Sequence, residues 1–165
     1  MDNVYLLIGG NLGNRVENLE NAVKLIGTRA GKITRSSRIF ETAAWGITDQ
    51  NPFLNQALEL DTPYEAKMLL DILLEIELEL GRIRAQKNGP RLIDIDILFY
   101  GSDIISEPGL TIPHPLLQER RFALAPLNDI NPGFMHPLFK KTIKQLLEEC
   151  KDPLDAAPFS DGTGV

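Results

Sequence analysis

Hydrophobic and polar positions along this chain alternate between two periods, and each change of period marks a predicted element. Val4-Tyr5-Leu6-Leu7-Ile8 is an unbroken apolar run closed by Gly9-Gly10-Asn11-Leu12-Gly13, which predicts a buried strand followed by a tight turn. The spacing then becomes helical through Val16, Leu19, Val23 and Ile26. Asn14 with Glu17 offers a capping-box-like start, and the helix is expected to end near Gly27 and Gly31. Ile33 to Glu41 predicts a strand, and Phe53 to Leu60 another, in which Leu54, Leu58 and Leu60 face the core while Phe53 and Asn55 share the other face. Thr62-Pro63-Tyr64-Glu65 reads as a helix start with a threonine cap, and Ala66, Leu69, Leu70, Leu73, Ile76 and Leu80 carry the helix to Gly81.

From Ile93 the two-residue period returns, so Ile93, Ile95, Ile97 and Phe99 are expected on one face and Asp94, Asp96, Leu98 and Tyr100 on the other. Gly101-Ser102-Asp103 turns the chain, with Ile104-Ile105 as a hairpin return. Thr142 and Gln145 cap a last helix through Ile143, Leu146 and Leu147, and from Asp152 the Asp, Pro, Gly and Ser content predicts a frayed tail. The expectation is one α+β domain over residues 1–151 and a flexible tail over 152–165, with no internal repeat.

Composition narrows the class. A chain of 165 residues with 43% hydrophobic and 24% charged residues can bury one core and is too short for two typical domains. The net charge of -6 argues against a nucleic-acid coat, though not against a small anion in a local basic cleft. A single cysteine, Cys150, excludes an intrachain disulfide and fits a reducing compartment. Met1 to Ile8 has no cationic lead, and no run approaches a membrane span, so a cytoplasmic protein without membrane contact is expected.

The candidate chemistry centres on Gly89 to Tyr100. Asp94 and Asp96 point the same way from one strand, their Cα atoms roughly 6.6 Å apart, a spacing at which two carboxylates can close on hard cations. An isolated Asp-x-Asp more often marks a solvated edge strand. Here, however, Gly81 to Arg91 packs Arg82, Arg84, Lys87 and Arg91 just ahead of it, in a chain that is acidic overall. Magnesium beside guanidinium groups suits a polyphosphate, the metal templating its oxygens and the arginines holding the rest by forked hydrogen bonds. The same segment also reads as a solubilising loop.

Other residues are less specific. The strand, glycine turn and helix at the start lack the Gly-Lys-Ser/Thr of a P-loop and the Gly-x-Gly-x-x-Gly spacing, so the glycines are read as allowing close approach to a ligand or another strand. Trp45, in the loop from Thr42 to Pro52, reads as a loop anchor, with a lid over a flat ligand as the alternative. Phe53 beside Asn55 suits a planar heterocycle with hydrogen-bonding edges. Glu75, Glu77 and Glu79 lie near a helix C-terminus, where the dipole disfavours acids and Arg82 and Arg84 would offset the cost. His114 is held between two prolines shortly before Arg120, Arg121 and Phe122, while His136 reads as structural.

Taken together these residues resemble the 6-hydroxymethyl-7,8-dihydropterin pyrophosphokinase family. The resemblance runs from Gly9-Gly10-Asn11-Leu12-Gly13 through Thr42, Gly46, Phe53-Leu54-Asn55, Glu77 and Gly81-Arg82-Ile83-Arg84. It continues in Lys87 to Leu98 with its Gly-Pro-Arg-x-x-Asp-x-Asp core, in Leu110 to Pro115 and in Glu119 to Phe122. It implies a ferredoxin-like α+β fold, an antiparallel sheet with helices packed mainly on its faces. It also implies transfer of pyrophosphate from ATP to the pterin's hydroxymethyl oxygen with release of AMP, with two Mg2+ ions at Asp94 and Asp96 as cofactors.

By the same resemblance Glu77, Arg84, Arg91, Ile97, Thr111, His114 and Arg120 would bind ATP, and Thr42, Ala43, Trp45, Phe53, Asn55, Asp94 and Phe122 the pterin. Arg82, Arg91, Asp94 and Asp96 would form the catalytic set, and the protein would be a monomer, with a weak homodimer as the alternative. Four departures stand out: Gly10 replaces the usual serine, Ala43-Ala44 a Pro-Pro, Asn88 an aromatic residue and Gly109 an arginine, and Trp45 would restore apolar cover. The competing readings are another two-metal phosphoryl or nucleotidyl transferase and a non-catalytic Mg-ATP sensor.

Overall fold

The computed structural model describes residues 3–43, 51–81 and 92–160. Its strands are β1 (Asn3–Gly10), β2 (Lys32–Ser36), β3 (Phe40–Thr42), β4 (Phe53–Asp61), β5 (Asp94–Tyr100), β6 (Ile105–Glu107), β7 (Leu110–Ile112) and β8 (Ala157–Pro158). The helices are α1 (Arg15–Arg29), α2 (Ala66–Glu79), α3 (Arg121–Ile130) and α4 (Ile143–Glu149). The main sheet runs β5-β1-β4-β3-β8, with β2 also on β4, and every pairing is antiparallel. Counting β2 and β3 as one interrupted strand gives the βαββαβ order of a ferredoxin-like α+β fold, as expected.

Both faces of the sheet are covered, which is why β1 reads as a continuous apolar run rather than an alternating one. Val4, Leu6, Ile8, Leu54, Leu58 and Leu60 pack against α1 and α2 through Leu19, Ile26, Leu69, Leu73 and Ile76. Tyr5, Leu7 and Ala57 pack on the other side against Leu124 and Leu127 of α3 and Ile143 and Leu146 of α4. Asn14 caps α1 by accepting the Glu17 N–H at 3.1 Å, and Thr142 with Gln145 closes a reciprocal box at α4. Gly31, at φ +156, lies so close to β4 that a Cβ would stand 2.4 Å from the Asp61 carbonyl.

Several local expectations give way to packing. The strand expected over Ile33 to Glu41 breaks into β2 and β3. The Ser37 hydroxyl bridges the break by accepting the Ala57 N–H and donating to the Arg38 carbonyl. α2 starts at Ala66 after Glu65, and the Thr62 hydroxyl instead donates to the Ala30 carbonyl at 2.6 Å and accepts the Tyr64 N–H at 3.2 Å in the turn before the helix. Leu98 is an extra residue in the β1–β5 register, which passes from Leu6↔Ile97 to Tyr5↔Phe99. This bulge puts Phe99 on the α3 side with Leu98, against the simple alternation. Ile105 pairs with Ile112 of β7 rather than returning along β5.

The stretch expected to fray from Asp152 instead packs as far as it is described. Asp152 is 8% exposed, β8 pairs with β3, and the Phe159 N–H donates to the Ile39 carbonyl at 2.7 Å. Beneath the α3 side, Tyr5 donates to Glu59 at 2.6 Å and accepts from Asn131 at 2.8 Å. Burial, and then the neighbouring Glu59, push the tyrosine up to about 12. Burial opposes ionisation of Glu59, but donation from Tyr5 and Thr34 and the charge of Arg35 hold its carboxyl below the usual range. This network ties β1, β2, β4 and the end of α3 together.

Candidate active site

The strand ends meet at one cleft. It is lined by Leu7 and Gly9 of β1, Thr42 and Ala43 at the end of β3, Phe53 and Asn55 of β4, Asp94 and Asp96 of β5, and Arg120 and Phe122 at the start of α3. Register explains the grouping. Gly9 pairs with Asp94 on one side and Asn55 on the other, Leu7 pairs with Asp96, and Thr42 pairs with Phe53. Side chains two apart on a strand share a face, so Asp94 with Asp96 and Phe53 with Asn55 project into the same space. The bulge at Leu98 falls after both aspartates and leaves their shared face intact.

Gly9 makes the floor flat. A Cβ there would stand 2.0 Å from Asn55 Oδ1, so the Asn55 carboxamide lies across the glycine. The result is a planar polar group beside the strand that carries the aspartates, with Phe53 and Phe122 supplying apolar walls. The Arg120 guanidinium stands over the Phe122 ring, 5.5 Å from its centre.

Behind β5, Glu77 is 2% exposed, and its Oε2 accepts the N–H of Ile95, the residue between the two aspartates, at 2.6 Å. α2 thereby fixes the strand that presents both carboxylates. Ile97 points away from the cleft into the core shared with α1 and α2, at 6% exposure. Thr111 is exposed on β7. His114 follows the cis Ile112–Pro113 bond, and its N–H donates to the Leu98 carbonyl at 3.0 Å. Burial and the charge of Arg120 lower its imidazole to about 4 against the opposing pull of Asp94. Its Nδ1 accepts the Leu116 N–H at 3.3 Å, so the neutral ring carries its proton on Nε2 as a donor.

Every described residue expected at the pterin lies on this cleft: Thr42, Ala43, Phe53, Asn55, Asp94 and Phe122. Of those expected at ATP, Arg120 lines it and His114 is close enough to feel Arg120 and Asp94, whereas Glu77 and Ile97 are core residues in their side chains. Trp45, Arg82, Arg84 and Arg91 lie outside the described residues. Leu7 was missed as a lining residue, and Gly9 was read only as a glycine allowing close approach to a ligand or another strand. Gly9 had a signal, because a glycine closing a buried strand permits close approach; Leu7 had none within its apolar run. The misplaced acid near the end of α2 was likewise a signal that Glu77 is held by something other than water.

No group of three or more His, Cys, Asp or Glu side chains suited to a metal is assembled among the described residues. Two carboxylates on one strand fit a cation such as Mg2+, which keeps waters and takes phosphate oxygens rather than needing a full protein cage. They do not make a structural zinc site. Nor is any helix among the described residues long and apolar enough to cross a membrane.

A family model described as 7,8-dihydro-6-hydroxymethylpterin-pyrophosphokinase matches residues 5–132. The chain is 37% identical to the 2-amino-4-hydroxy-6-hydroxymethyldihydropteridine pyrophosphokinase of Aquifex aeolicus over 90% of its own length and 92% of that protein. It is 38% identical to a folic acid synthesis protein of Pneumocystis carinii but spans only 20% of that larger protein. A crystal structure of wild-type HPPK-DHPS from Plasmodium falciparum superposes with a TM-score of 0.75 at 18% identity, covering 90% of this chain and 44% of that one. With the matched stretch running from β1 through the aspartate strand to the end of α3, the chain belongs to the 7,8-dihydro-6-hydroxymethylpterin-pyrophosphokinase (HPPK) family.

Proposed function

We propose that this protein transfers pyrophosphate from ATP to the hydroxymethyl oxygen of 6-hydroxymethyl-7,8-dihydropterin, releasing AMP. The observation that carries this reading is the meeting of Asp94 and Asp96 with Phe53, Asn55 and Phe122 in one cleft, in a chain of the HPPK family. The aromatic pair suits the faces of a flat bicycle. Asn55, able both to donate and to accept, suits its polar edge. Asp94 and Asp96 would hold two Mg2+ ions, which when bound neutralise and template the triphosphate.

The remaining roles follow from charge and position. Arg120 supplies a fixed positive charge at the cleft, and His114 a neutral Nε2–H donor for a phosphate oxygen. Arg82, Arg84 and Arg91 are assigned to the phosphates from the sequence motif, with Arg82 and Arg91 in the catalytic set. Thr111 is assigned to the nucleotide. Glu77 is assigned to the backbone of β5, as the support of the aspartates, and through them of the nucleotide.

The reaction forms a bond from the pterin oxygen to the β-phosphorus and breaks the bond from that phosphorus to the oxygen bridging it to the α-phosphate, in line. AMP carries away the bridging oxygen, and the hydroxyl proton passes to solvent. The chain's contribution is position and electrostatics rather than a covalent intermediate. The test is product analysis with ATP, magnesium and the reduced pterin alcohol. AMP and pterin diphosphate are expected only when all three are present, and Asp96→Ala is expected to slow the reaction by at least several hundredfold, about 3.5 kcal/mol of barrier. ADP as product, or ATP left untouched by the pterin, refutes the assignment.

A further inference from the structure

The segment after α4 reaches both walls of the cleft. On one side Asp152, 8% exposed, accepts the Arg121 N–H through Oδ2 at 3.1 Å and the Leu154 N–H through Oδ1 at 3.0 Å. Arg121 is the first residue of α3, whose own cap residue, Arg120, makes no side-chain cap bond. Asp152 therefore performs the capping from outside the helix, at the turn that carries Arg120 and Phe122. Arg121 returns the contact, its guanidinium donating to the carbonyls of Asp152 at 3.2 Å and Cys150 at 3.0 Å.

On the other side the Thr42 hydroxyl donates to the Asp155 carbonyl at 2.7 Å, and Ala157 and Pro158 pair with Glu41 and Phe40. Because that proton is committed to a carbonyl, Thr42 offers the cleft only the lone pairs of its oxygen, an acceptor suited to a ring N–H or amino group. Arg15 adds a clamp: its guanidinium lies 5.4 Å from the Phe159 ring centre and donates to Glu41 and to the Pro52 carbonyl. The stretch that matches the family model ends at residue 132, before this segment begins.

We propose that residues 152–160 form a strap that sets the spacing between the Thr42 and Phe122 walls, and that Asp152 is a positioning residue for the ring-binding slot. The inference rests on the pterin reading above. Removing the Asp152 carboxylate releases the first turn of α3, so Phe122 loses its fixed place opposite Phe53. The nucleotide side is affected less, because Arg120 is its one residue on the released turn, while β5 and the Thr111–His114 segment are held by contacts of their own.

The test uses the full chain as wild type, Asp152→Ala and Asp152→Asn. It measures pterin affinity in the presence of magnesium and a non-hydrolysable ATP analogue, the affinity for the analogue alone, and the melting temperature. Asp152→Ala is expected to weaken pterin binding about tenfold, the size of a lost cap, with analogue affinity within about threefold of wild type. Asp152→Asn is expected to recover pterin binding in part, since its single amide oxygen can accept the Arg121 N–H but its amino group cannot replace the acceptor of the Leu154 N–H. If Asp152→Ala fails to fold, Arg121→Met, which removes the two guanidinium bonds while leaving the cap, is expected to show a smaller loss confined in the same way to the pterin.

A lower melting temperature with unchanged pterin affinity overturns the proposal, as does an equal loss of both ligands. A wild-type chain that binds no pterin overturns the functional reading and this role with it. Normal wild-type binding with an unaffected variant overturns the strap alone.

Discussion

Gly9 is the position where one added carbon should do the most to this site. In Gly9→Ala the new methyl would stand 2.0 Å from Asn55 Oδ1 and 3.0 Å from both Asn55 Cγ and the Leu54 carbonyl. Ordinary contact would require the carboxamide to retreat by roughly 1.5 Å. Asn55 is 5% exposed, so little free space surrounds it. The backbone tolerates alanine, since Gly9 is not among the glycines with positive φ, and the damage falls on Asn55, the side chain proposed for the polar edge of the pterin.

Losing two buried hydrogen bonds to the ring edge is worth about 2–4 kcal/mol, or roughly 30- to 1,000-fold in the dissociation constant. Overpacking should cost stability too, about 1–3 kcal/mol. Calorimetry or fluorescence titration of the pterin with magnesium and a non-hydrolysable ATP analogue reads the first, and urea unfolding the second. In an Asn55→Ala background most of the added penalty should vanish, because the obstructed group is gone. Wild-type pterin affinity in Gly9→Ala, or an undiminished penalty in the double variant, refutes the geometry.

Two further outcomes follow from buried groups. Glu77→Ala leaves the Ile95 N–H without its acceptor, so unfolding stability should fall by roughly 2–3 kcal/mol and turnover more than nucleotide affinity. Weakened nucleotide binding with unchanged stability would instead return Glu77 to direct contact with ATP. His114 titrates near 4 when folded and near 6.5 when unfolded. The unfolded chain therefore takes up the proton first as the solution is acidified, and stability that is full above pH 6.5 falls toward pH 4. Relative to His114→Gln, the wild type should lose about 2–3 kcal/mol in urea unfolding by pH 4.5; parallel pH profiles would contradict the buried neutral ring.

The clearest sequence signals concern interactions that span a few residues. Asn14 and Thr142 name their helix starts because the bonds they make reach only three positions along the chain. Asp94 with Asp96, and Phe53 with Asn55, share their faces because a strand repeats every two residues. Where a second partner intervened, local rules failed. Thr62 is drawn to the Ala30 carbonyl and caps a turn at Tyr64 rather than the start of α2, and the extra Leu98 in the register with β1 reverses the alternation at Phe99.

By itself, then, the sequence determined β1, β4, β5, α1, α2, α4 and the chemical kinds of side chain that converge on the cleft, since period, caps and motif are all short-range, whereas α3, β7 and β8 were not read from it. Only the tertiary structure decided that Gly9 lies under Asn55, that Glu77 holds the strand between the aspartates, and that the segment from Asp152 ties Thr42 to α3. Each of these contacts joins residues distant along the chain, and the choice among such partners is made by which buried polar groups can be satisfied together when the layers close.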